Sequence, residues 1–193
     1  MTDIEAFANR LGKNARHLLK WARRNQIEAW RLYDRDIPQF PFAVDVYGER
    51  IHLQEYDTGW KLPPADYRRW LDDVIDAVAF VSGFDREAVF LKQRARQKGT
   101  QQYQKTGSDG EDFTVAENGR RFWVNLGKYL DTGLFLDHRN TRARVGAEAE
   151  GKRFLNLFAY TGSFTVYAAT GGAVSSESVD LSNTYLKWAQ RNF

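Results

Sequence analysis

The 193-residue sequence has no cysteine, only one methionine and only four prolines, none of which lies after residue 64. Without cysteine, disulfide bonds and thiolate zinc sites are excluded. No stretch approaches the roughly 18 uninterrupted apolar residues of a membrane-spanning helix, and the first residues lack the basic-then-apolar order of a signal peptide. The three histidines have no partner at metal-ligand spacing, so no metal site is predicted. We expect a cytoplasmic protein that binds no metal.

The charge of the chain is nearly balanced, with 28 Lys and Arg against 25 Asp and Glu. The excess of +3 is too small to indicate nucleic-acid binding, but its distribution is uneven. Residues 4–24 repeat apolar side chains at three- and four-residue steps, which predicts an amphipathic helix. The polar side of this helix is almost entirely basic. Because its like charges repel one another, such a side suggests a partner that carries phosphates. A solvated helix face is the alternative interpretation.

A second basic stretch, residues 92–105, contains five Lys or Arg residues and no acid. Glutamines and Tyr103 are interleaved with these cations. Arginine, amide and aromatic side chains suit unpaired RNA bases, which can be stacked and hydrogen-bonded. A solvated connector is again the alternative. The cations that we predict to contact RNA are Arg10, Lys13, Lys20, Arg94, Arg96 and Lys98.

Turn signals predict two β-hairpins and a second helix. Gly48-Glu49 and Asn118-Gly119 each suit a two-residue hairpin turn between alternating segments. Pro63-Pro64 begins a predicted helix, and Gly83 ends it. The other predicted segments are half-buried strands at 42–47 and 50–56, strands at 88–91, 112–117 and 120–126, a loop at 33–41, a helix beginning near residue 138, and a polar linker at 143–152.

The last forty or so residues follow a β, α, β, acid, α order. Residues 154–158 are typical of a parallel strand covered on both faces. Gly162 permits a tight turn, and Ser163 is a predicted N-cap of a helix that Gly171-Gly172 ends. A second apolar run ends at Asp180, and Ser182 is the predicted N-cap of the last helix. This order is the opening half of a nucleotide-binding α/β unit.

The spacing of Gly162 and Asp180 has a specific chemical meaning. A glycine turn before a helix N-terminus allows close approach of a ligand. An acid about 20 residues later can accept hydrogen bonds from two ribose hydroxyls. Only one glycine lies in this turn, so the three-glycine signature of dinucleotide enzymes is absent and an NAD-dependent enzyme is disfavoured. A purely structural βαβ unit stays open as the alternative.

The segment Asn-Leu-Phe-Ala-Tyr-Thr-Gly-Ser at 156–163, followed by Val-Asp-Leu-Ser at 179–182, closely resembles the first two cofactor motifs of bacterial 23S ribosomal RNA methyltransferases. The resemblance is to the guanine-N7 methyltransferase half of the bifunctional enzyme, which has cytosine-C5 relatives. It extends through residues 129–139 and 7–11 and so covers nearly the whole chain. It implies S-adenosyl-L-methionine as cofactor and 23S ribosomal RNA as partner.

The resemblance implies an α/β protein, in which an N-terminal α+β domain precedes the first βαβα part of a Rossmann-like S-adenosylmethionine-dependent methyltransferase fold. We expect an RNA-positioning region at 1–145 and the start of the cofactor-binding domain at 146–193. The family has seven sheet strands and an Asn/Asp-Pro-Pro-aromatic substrate motif; the chain supplies two of those strands and lacks the motif. We therefore expect a truncated or incomplete enzyme, inactive alone, whose strand pair leaves apolar faces open unless a second chain or domain completes the sheet. A non-catalytic RNA-binding module is the alternative function.

Candidate cofactor contacts carry over from the matching motifs, with Arg142 as a weaker candidate. In the family's reaction, guanine N7 attacks with its own lone pair and has no proton to lose, so positioning would replace a general base. The catalytic residues stay unknown because the substrate motif is absent from the chain. The cysteine nucleophile that cytosine-C5 relatives need is also absent, although the missing part of the enzyme could hold it. The predicted cofactor-binding residues are Asp137, Arg139, Asn156, Phe158, Tyr160, Thr161, Gly162, Ser163, Asp180 and Ser182.

Overall fold

The computed structural model describes residues 4–59, 62–94, 110–129 and 131–193. The chain divides into two compact units, Met1–Gln101 and Gln102–Phe193. This division concerns packing alone, and the functional boundary between residues 145 and 146 stays a prediction. In the described part of the chain, none of the helices is both long and apolar enough to cross a membrane.

The first unit is a four-stranded sheet with two helices, α1 (Ile4–Arg24) and α2 (Pro64–Ser82). The strands β1 to β4 lie in sequence order across the sheet. β1 pairs with β2 and β2 with β3 antiparallel, whereas β3 and β4 are parallel. A parallel pair needs a crossover connection, which α2 supplies. The strand bounds are Ala29–Asp34, Phe42–Tyr47, Arg50–Tyr56 and Val89–Arg94.

The core of the first unit lies between these helices and the sheet. Phe7 of α1 is fully buried and stacks on Phe40, with 4.6 Å between ring centroids. Trp70 and Val74 contribute the buried side of α2. Both predicted helices are confirmed, and α2 ends at Gly83, whose left-handed φ of 74° closes the last turn.

Two predictions for this unit need correction. The loop predicted from residue 33 is wrong at its start, since β1 continues to Asp34 and contains a register shift between Arg31 and Tyr33. Because of that irregularity and the charged Arg31, the strand lacks the alternation of apolar and polar residues by which strands are recognised in a sequence. The Gly48-Glu49 hairpin is confirmed, but β2 is buried at every position rather than on alternate residues. Its buried acid, Asp45, is accommodated by two hydrogen bonds from Arg31.

The second unit begins with the hairpin of β5 (Phe113–Glu117) and β6 (Arg120–Val124). Asn118 and Gly119 both have positive φ, at 50° and 77°, as a type I′ turn requires. A short 3-10 helix, Leu136–His138, leads into α3, Arg139–Glu148. The remaining elements are β7 (Arg153–Leu157), α4 (Ser163–Thr170), β8 (Ser175–Val179) and α5 (Asn183–Asn192).

β7 and β8 form a two-stranded parallel sheet, as the βαβ pattern predicts. The expectation that β7 is covered on both faces is wrong for this chain, because Leu155 and Leu157 are 57% and 56% exposed. The companion expectation, that a strand pair leaves an apolar face open, is confirmed. The predicted linker at 143–152 is also wrong, because α3 continues to Glu148. Arg142 of α3 is fully buried, so the inner side of this helix carries a polar residue. A search for apolar periodicity therefore does not detect the helix.

Candidate functional site

The turn between β7 and α4 is unusually tight. Phe158, Tyr160 and Gly162 all have left-handed φ angles, at 57°, 52° and 72°. Backbone hydrogen bonds hold the turn, from the Ala159 amide to the Val179 carbonyl at 3.0 Å and from the Gly162 amide to the Ala159 carbonyl at 2.9 Å. Left-handed backbone costs roughly 1–2 kcal/mol per residue other than glycine. Strain of this kind is typical of segments whose shape serves a ligand site.

Gly162 occupies the N-cap position of α4. The predicted cap at Ser163 is therefore wrong: Ser163 is the first helical residue, it is buried, and no side chain caps this end. A Cβ on Gly162 would lie 2.8 Å from the Cβ of Ala189 on α5. The space that the missing side chain leaves is thus taken by α5, and the glycine serves the turn and close helix packing.

The carboxylate of Asp180 lies directly beside this turn. Its Oδ2 accepts a hydrogen bond from the backbone amide of Tyr160 at 2.8 Å, and its Oδ1 accepts one from the amide of Ser182, also at 2.8 Å. The Ser182 hydroxyl in turn accepts from the Tyr185 amide at 3.3 Å and caps α5, as predicted. The structure therefore brings the acid at the end of β8 to the turn after β7.

A cleft of about 200 Å³ opens at this point. Three of the predicted cofactor-binding residues line it: Phe158, Tyr160 and Asp180. Four further residues that the sequence did not single out complete its wall, namely Asp131, Phe135, Leu181 and Tyr185.

Aromatic rings form much of the cleft wall. The Tyr160 ring centroid lies 4.9 Å from that of Phe135 and 4.5 Å from that of Tyr185. The Tyr160 hydroxyl accepts a hydrogen bond from the Gly133 amide at 2.9 Å, which fixes the ring. Leu181 and Phe158 are 93% and 86% exposed, so the cleft has a large apolar rim.

Two predicted residues support the cleft from behind. Thr161 is fully buried, and its hydroxyl donates to the Gly133 carbonyl at 2.6 Å. The Thr161 carbonyl accepts from the side-chain amide of Asn192 at 2.8 Å. Asn156 donates to the Thr165 hydroxyl at 2.9 Å and so ties β7 to α4. Neither Thr161 nor Asn156 is among the residues that line the cleft.

The structure does not bring Asp137 and Arg139 to the cleft. The Asp137 side chain is 80% exposed, outside the cleft lining. Arg139 is directed at Glu117, with its Nε donating to Oε2 at 3.0 Å. Arg142, the weaker candidate, is fully buried against the same carboxylate. The predicted cofactor contacts of these residues stay untested, and their placement favours a structural role for the two arginines.

The four missed residues carried only weak sequence signals. Asp131 and Phe135 lie within the 129–139 segment of the resemblance, four residues apart. Leu181 directly follows the predicted acid, and Tyr185 lies four residues further, in the first turn of α5. Asp131 and Phe135 could be recognised only by knowing that residues 131–135 fold back onto the 158–162 turn. That arrangement depends on the contacts of Gly133.

The predicted RNA-binding cations are placed differently from one another. Lys13 and Lys20 are exposed on α1, as expected for a basic outer face. Arg10 is also exposed, but its Nε donates to Asp36 at 2.6 Å. Burial raises the pKa of Asp36, but hydrogen bonds from Arg10 and Asn14 outweigh it and hold this pKa below its ordinary value. Arg94 ends β4, and Arg96 and Lys98 lie outside the described residues.

Within residues 4–59, 62–94, 110–129 and 131–193, no group of three or more His, Cys, Asp or Glu side chains is arranged to hold a metal ion. The chemical character of the site is therefore set by the carboxylates of Asp131 and Asp180, backbone amides and aromatic rings.

Comparison with known proteins agrees with this geometry. The family of S-adenosylmethionine-dependent methyltransferases matches residues 62–193. The chain is 75% identical over its full length to a Neisseria meningitidis protein named ribosomal RNA large subunit methyltransferase K, and it covers 54% of that protein. It is 53% identical to a Pseudomonas aeruginosa protein named ribosomal RNA large subunit methyltransferase K/L, over 97% of this chain and 26% of that one. The chain thus spans between about a quarter and about half of these relatives' length.

Solved structures give the same result. A Streptococcus mutans protein assigned to the S-adenosylmethionine-dependent methyltransferases superposes with a TM-score of 0.80 at 27% identity, over 100% of this chain and 49% of that one. A second structure, assigned as a methyltransferase and complexed with S-adenosylhomocysteine (SAH), gives 0.78 at 28% identity over 100% and 48%. The predicted fold class and the predicted resemblance are confirmed. With its βαβα order, its acid beside the turn and a family match over most of its length, the chain belongs to the S-adenosylmethionine-dependent methyltransferases.

Proposed function

We propose that this chain provides the S-adenosylmethionine cleft of an enzyme that methylates 23S ribosomal RNA at guanine N7. The observation that carries the proposal is the Asp180 carboxylate, held against the 158–162 turn at the edge of a cleft lined by aromatic rings. Two comparisons support it: the 75% identical relative is named for ribosomal RNA methylation, and a similar solved structure is complexed with SAH.

The side chains of the cleft suit an adenosyl group. Each Asp180 oxygen accepts one backbone amide hydrogen bond. A carboxylate has about four lone-pair sites, so both oxygens keep capacity for a hydroxyl hydrogen bond from a ribose. The rings of Phe135 and Phe158, which are 42% and 86% exposed, offer apolar faces on which a purine can pack, and the buried Tyr185 is part of the cleft wall. The site therefore combines an acceptor for a diol with a surface for a base.

S-adenosylmethionine supplies a methyl group on a positively charged sulfur when it is bound. The residues of this chain would orient the ribose through Asp180 and confine the base with Phe135 and Phe158. Guanine N7 carries no proton, so no residue has to act as general base. Holding two reactants in line can contribute roughly 7–11 kcal/mol to a rate enhancement, and that positioning is the catalytic contribution we assign to this cleft.

We further propose that additional strands, from the same or a second polypeptide, extend the β7–β8 sheet in the active enzyme, and that the helices connecting them cover its open face. Leu155, Leu157 and Val179 expose about half of their surface on this sheet. Buried parallel strands are normally covered on both faces. The greater length of the relatives is consistent with such strands. We accordingly expect cofactor binding by this chain and no methyl transfer by it alone.

A non-catalytic RNA-binding module is the second candidate function, and the exposed cations of α1 favour it. Lys13 and Lys20 lie on the helix surface together with several exposed arginines. Such a surface would bind phosphates with an affinity that falls as salt is added. A cytosine-C5 methyltransferase is the other alternative; that chemistry uses a cysteine nucleophile, which would have to come from outside these 193 residues.

Isothermal titration calorimetry separates these functions. The chain is titrated first with SAH and then with a hairpin of 23S ribosomal RNA. Affinity for SAH supports the methyltransferase proposal, and SAH affinity without RNA affinity contradicts the module. RNA affinity with no SAH affinity favours the module and rejects the cleft assignment.

A further inference from the structure

We propose that Glu117 is a positioning residue for the cofactor cleft, which it controls through Arg142 and the backbone of Phe135. This inference rests on the proposed function for its consequence, cofactor affinity, but its structural part can be tested without any ligand. Glu117 ends β5 and lies outside the cleft lining.

The Glu117 carboxylate is the centre of a buried polar cluster. Its side chain and that of Arg142 are both fully buried. Arg142 makes a two-pronged contact, Nε to Oε1 at 2.9 Å and Nη2 to Oε2 at 2.8 Å. Arg139 donates to Oε2 at 3.0 Å, and the Tyr167 hydroxyl donates to Oε1 at 2.9 Å. A single carboxylate thus receives four hydrogen bonds from two elements, α3 and α4.

Buried ion pairs contribute little net stability, because desolvation offsets their attraction. Well-packed apolar residues often serve stability equally well at such positions. Charged groups that form fixed hydrogen bonds instead determine the relative positions of the residues that they join. The cluster is therefore better explained by the positions that it imposes on its partners than by the energy that it contributes.

The third donor of Arg142 connects the cluster to the cleft. Its Nη1 donates to the backbone carbonyl of Phe135 at 2.7 Å. Phe135 packs its ring on Tyr160 and forms part of the cleft wall. With the guanidinium fixed on Glu117, the Phe135 carbonyl has a rigid anchor, and the direction of its side chain is fixed by the backbone.

The segment around Phe135 has a second anchor that does not depend on Glu117. The Gly133 carbonyl accepts from the Thr161 hydroxyl, and the Gly133 amide donates to the Tyr160 hydroxyl. Residue 133 is thus tied to the turn directly, while residue 135 is tied through Arg142. Weakening the Arg142 anchor should therefore loosen Phe135 and leave the turn in place.

Glu117 also contacts α4, the helix that follows the 158–162 turn. The Tyr167 hydroxyl of this helix donates to the same carboxylate as Arg142 does. Tyr167 lies outside the cleft lining, and the turn keeps its own backbone hydrogen bonds and its contact with Asp180. The effect of Glu117 on the cleft therefore runs through Phe135.

The test is a double-mutant cycle on SAH affinity. Glu117→Gln keeps the shape of the side chain and removes its charge, and we expect about tenfold weaker binding of SAH, in the range of coupling through shared contacts. Phe135→Ala should weaken binding by itself. If Glu117 acts through Phe135, adding Glu117→Gln to Phe135→Ala should cost little more. Val115→Ala, which creates a cavity two residues away in the same strand, is the control for lost stability. At temperatures where all variants are folded, it should leave SAH affinity unchanged.

Hydrogen exchange of the ligand-free protein provides the readout that does not depend on the cofactor. In Glu117→Gln, the amides of residues 134–138 should exchange faster than those of the 158–162 turn, whereas Val115→Ala should affect both alike. Full additivity in the cycle, or exchange in Glu117→Gln that matches Val115→Ala, overturns the proposal. Arg142→Lys, which keeps the charge but cannot bridge Glu117 and the Phe135 carbonyl, replaces Glu117→Gln if that variant does not fold. If the wild-type chain does not bind SAH, the proposed function fails, and the exchange pattern alone decides the role of Glu117.

Discussion

The carboxylate of Asp180 accepts a hydrogen bond from the backbone amide of Tyr160, 20 residues earlier in the chain, at 2.8 Å. Tyr160 has a left-handed φ of 52°, which is unfavourable for a tyrosine. A hydrogen bond to a charged group contributes about 1.5–3 kcal/mol, which is enough to offset that cost. Asp180 therefore has two effects: it stabilises the turn, and it presents oxygen acceptors at the edge of the cleft.

Replacing Asp180 should weaken cofactor binding as well as the turn that it stabilises. Asp180→Ala removes both acceptors, and we expect SAH affinity to fall at least about tenfold, the equivalent of one lost charge-assisted hydrogen bond. Asp180→Asn keeps one oxygen and should fall between Asp180→Ala and wild type. Calorimetric titration with SAH measures the change. Glu177→Gln, an exposed carboxylate on the same strand, is the matched control and should bind as wild type does. Unchanged affinity in Asp180→Ala would reject the ribose role.

Gly162 should be intolerant of a side chain, for two separable reasons. Gly162→Ala forces alanine into a left-handed φ of 72° and places its Cβ 2.8 Å from that of Ala189. Gly151→Ala forces a similar φ of 70° with no atom within 4 Å of the new Cβ. We expect Gly151→Ala to lower the unfolding free energy by about 1 kcal/mol from backbone strain. Gly162→Ala should cost a further 1–3 kcal/mol, roughly, from overpacking.

Urea unfolding of the two variants measures both losses. The difference between them isolates the contact between the turn and α5, since the backbone strain is common to both. Equal losses would mean that α5 shifts freely away from the turn, and that Gly162 is needed for its conformation alone.

The sequence was informative wherever a feature depends on residues close together in the chain. The Asn118-Gly119 hairpin, the Ser182 cap and the β7–α4–β8 order all follow from local patterns, and all are confirmed. The Ser163 cap was wrong because the position of the helix start depends on Ala189, which limits residue 162 to glycine and lets the helix begin one residue earlier.

The site was predictable only in part, for the same reason. The acid and the turn lie at a spacing typical of nucleoside sites, so Asp180 could be found from the spacing, whereas Tyr160 was found through the family resemblance. Asp131 and Phe135 could not, because they reach the cleft through contacts of Gly133 with Tyr160 and Thr161. Arg139 and Arg142 were candidate ligand contacts because the resembling family packs this region beside its cofactor. Their partner Glu117 lies on a hairpin more than 20 residues earlier, and no local pattern points to it.

The buried hydroxyl of Tyr167 should make stability depend on pH in the alkaline range. Burial and the neighbouring Glu117 carboxylate raise the pKa of Tyr167 to about 12. In the unfolded chain a tyrosine ionises near pH 10, roughly. Below about pH 10 the hydroxyl is neutral in both states and its contribution is complete; as the pH rises from about 10 to about 12, only the unfolded state releases the proton, so stability falls.

Tyr167→Phe should remove this pH dependence. We expect the stability advantage of wild type over Tyr167→Phe to narrow by up to about 2 kcal/mol between about pH 9 and about pH 12, at 1.36 kcal/mol per unit of pKa. Urea unfolding at several pH values measures the advantage. Tyr67→Phe is the positive control. Burial and Glu55 raise the pKa of Tyr67, which lies in the other unit, to about 12, so the advantage of wild type over this variant should narrow over the same pH range. A constant advantage across this range would mean that Tyr167 ionises as an exposed tyrosine does.

The basic face of α1 should bind RNA through phosphate contacts that salt weakens. The double variant Lys13→Glu, Lys20→Glu reverses two exposed charges on this face. We expect at least severalfold weaker binding of a 23S ribosomal RNA hairpin at low salt, with SAH affinity unchanged. Each lost phosphate contact should reduce the slope of log affinity against log salt concentration by about 0.7, the value for single strands.

Fluorescence anisotropy of a labelled hairpin over a series of salt concentrations measures affinity and slope together. Arg68→Glu with Arg69→Glu makes the same change of charge on the exposed surface of α2 and is the matched control. If α1 is the contact surface, the control should lower affinity slightly through net charge and leave the slope unchanged. Equal losses in the two double variants would show that overall charge, rather than the face of α1, attracts the RNA, because only a localised contact distinguishes two helices of one unit.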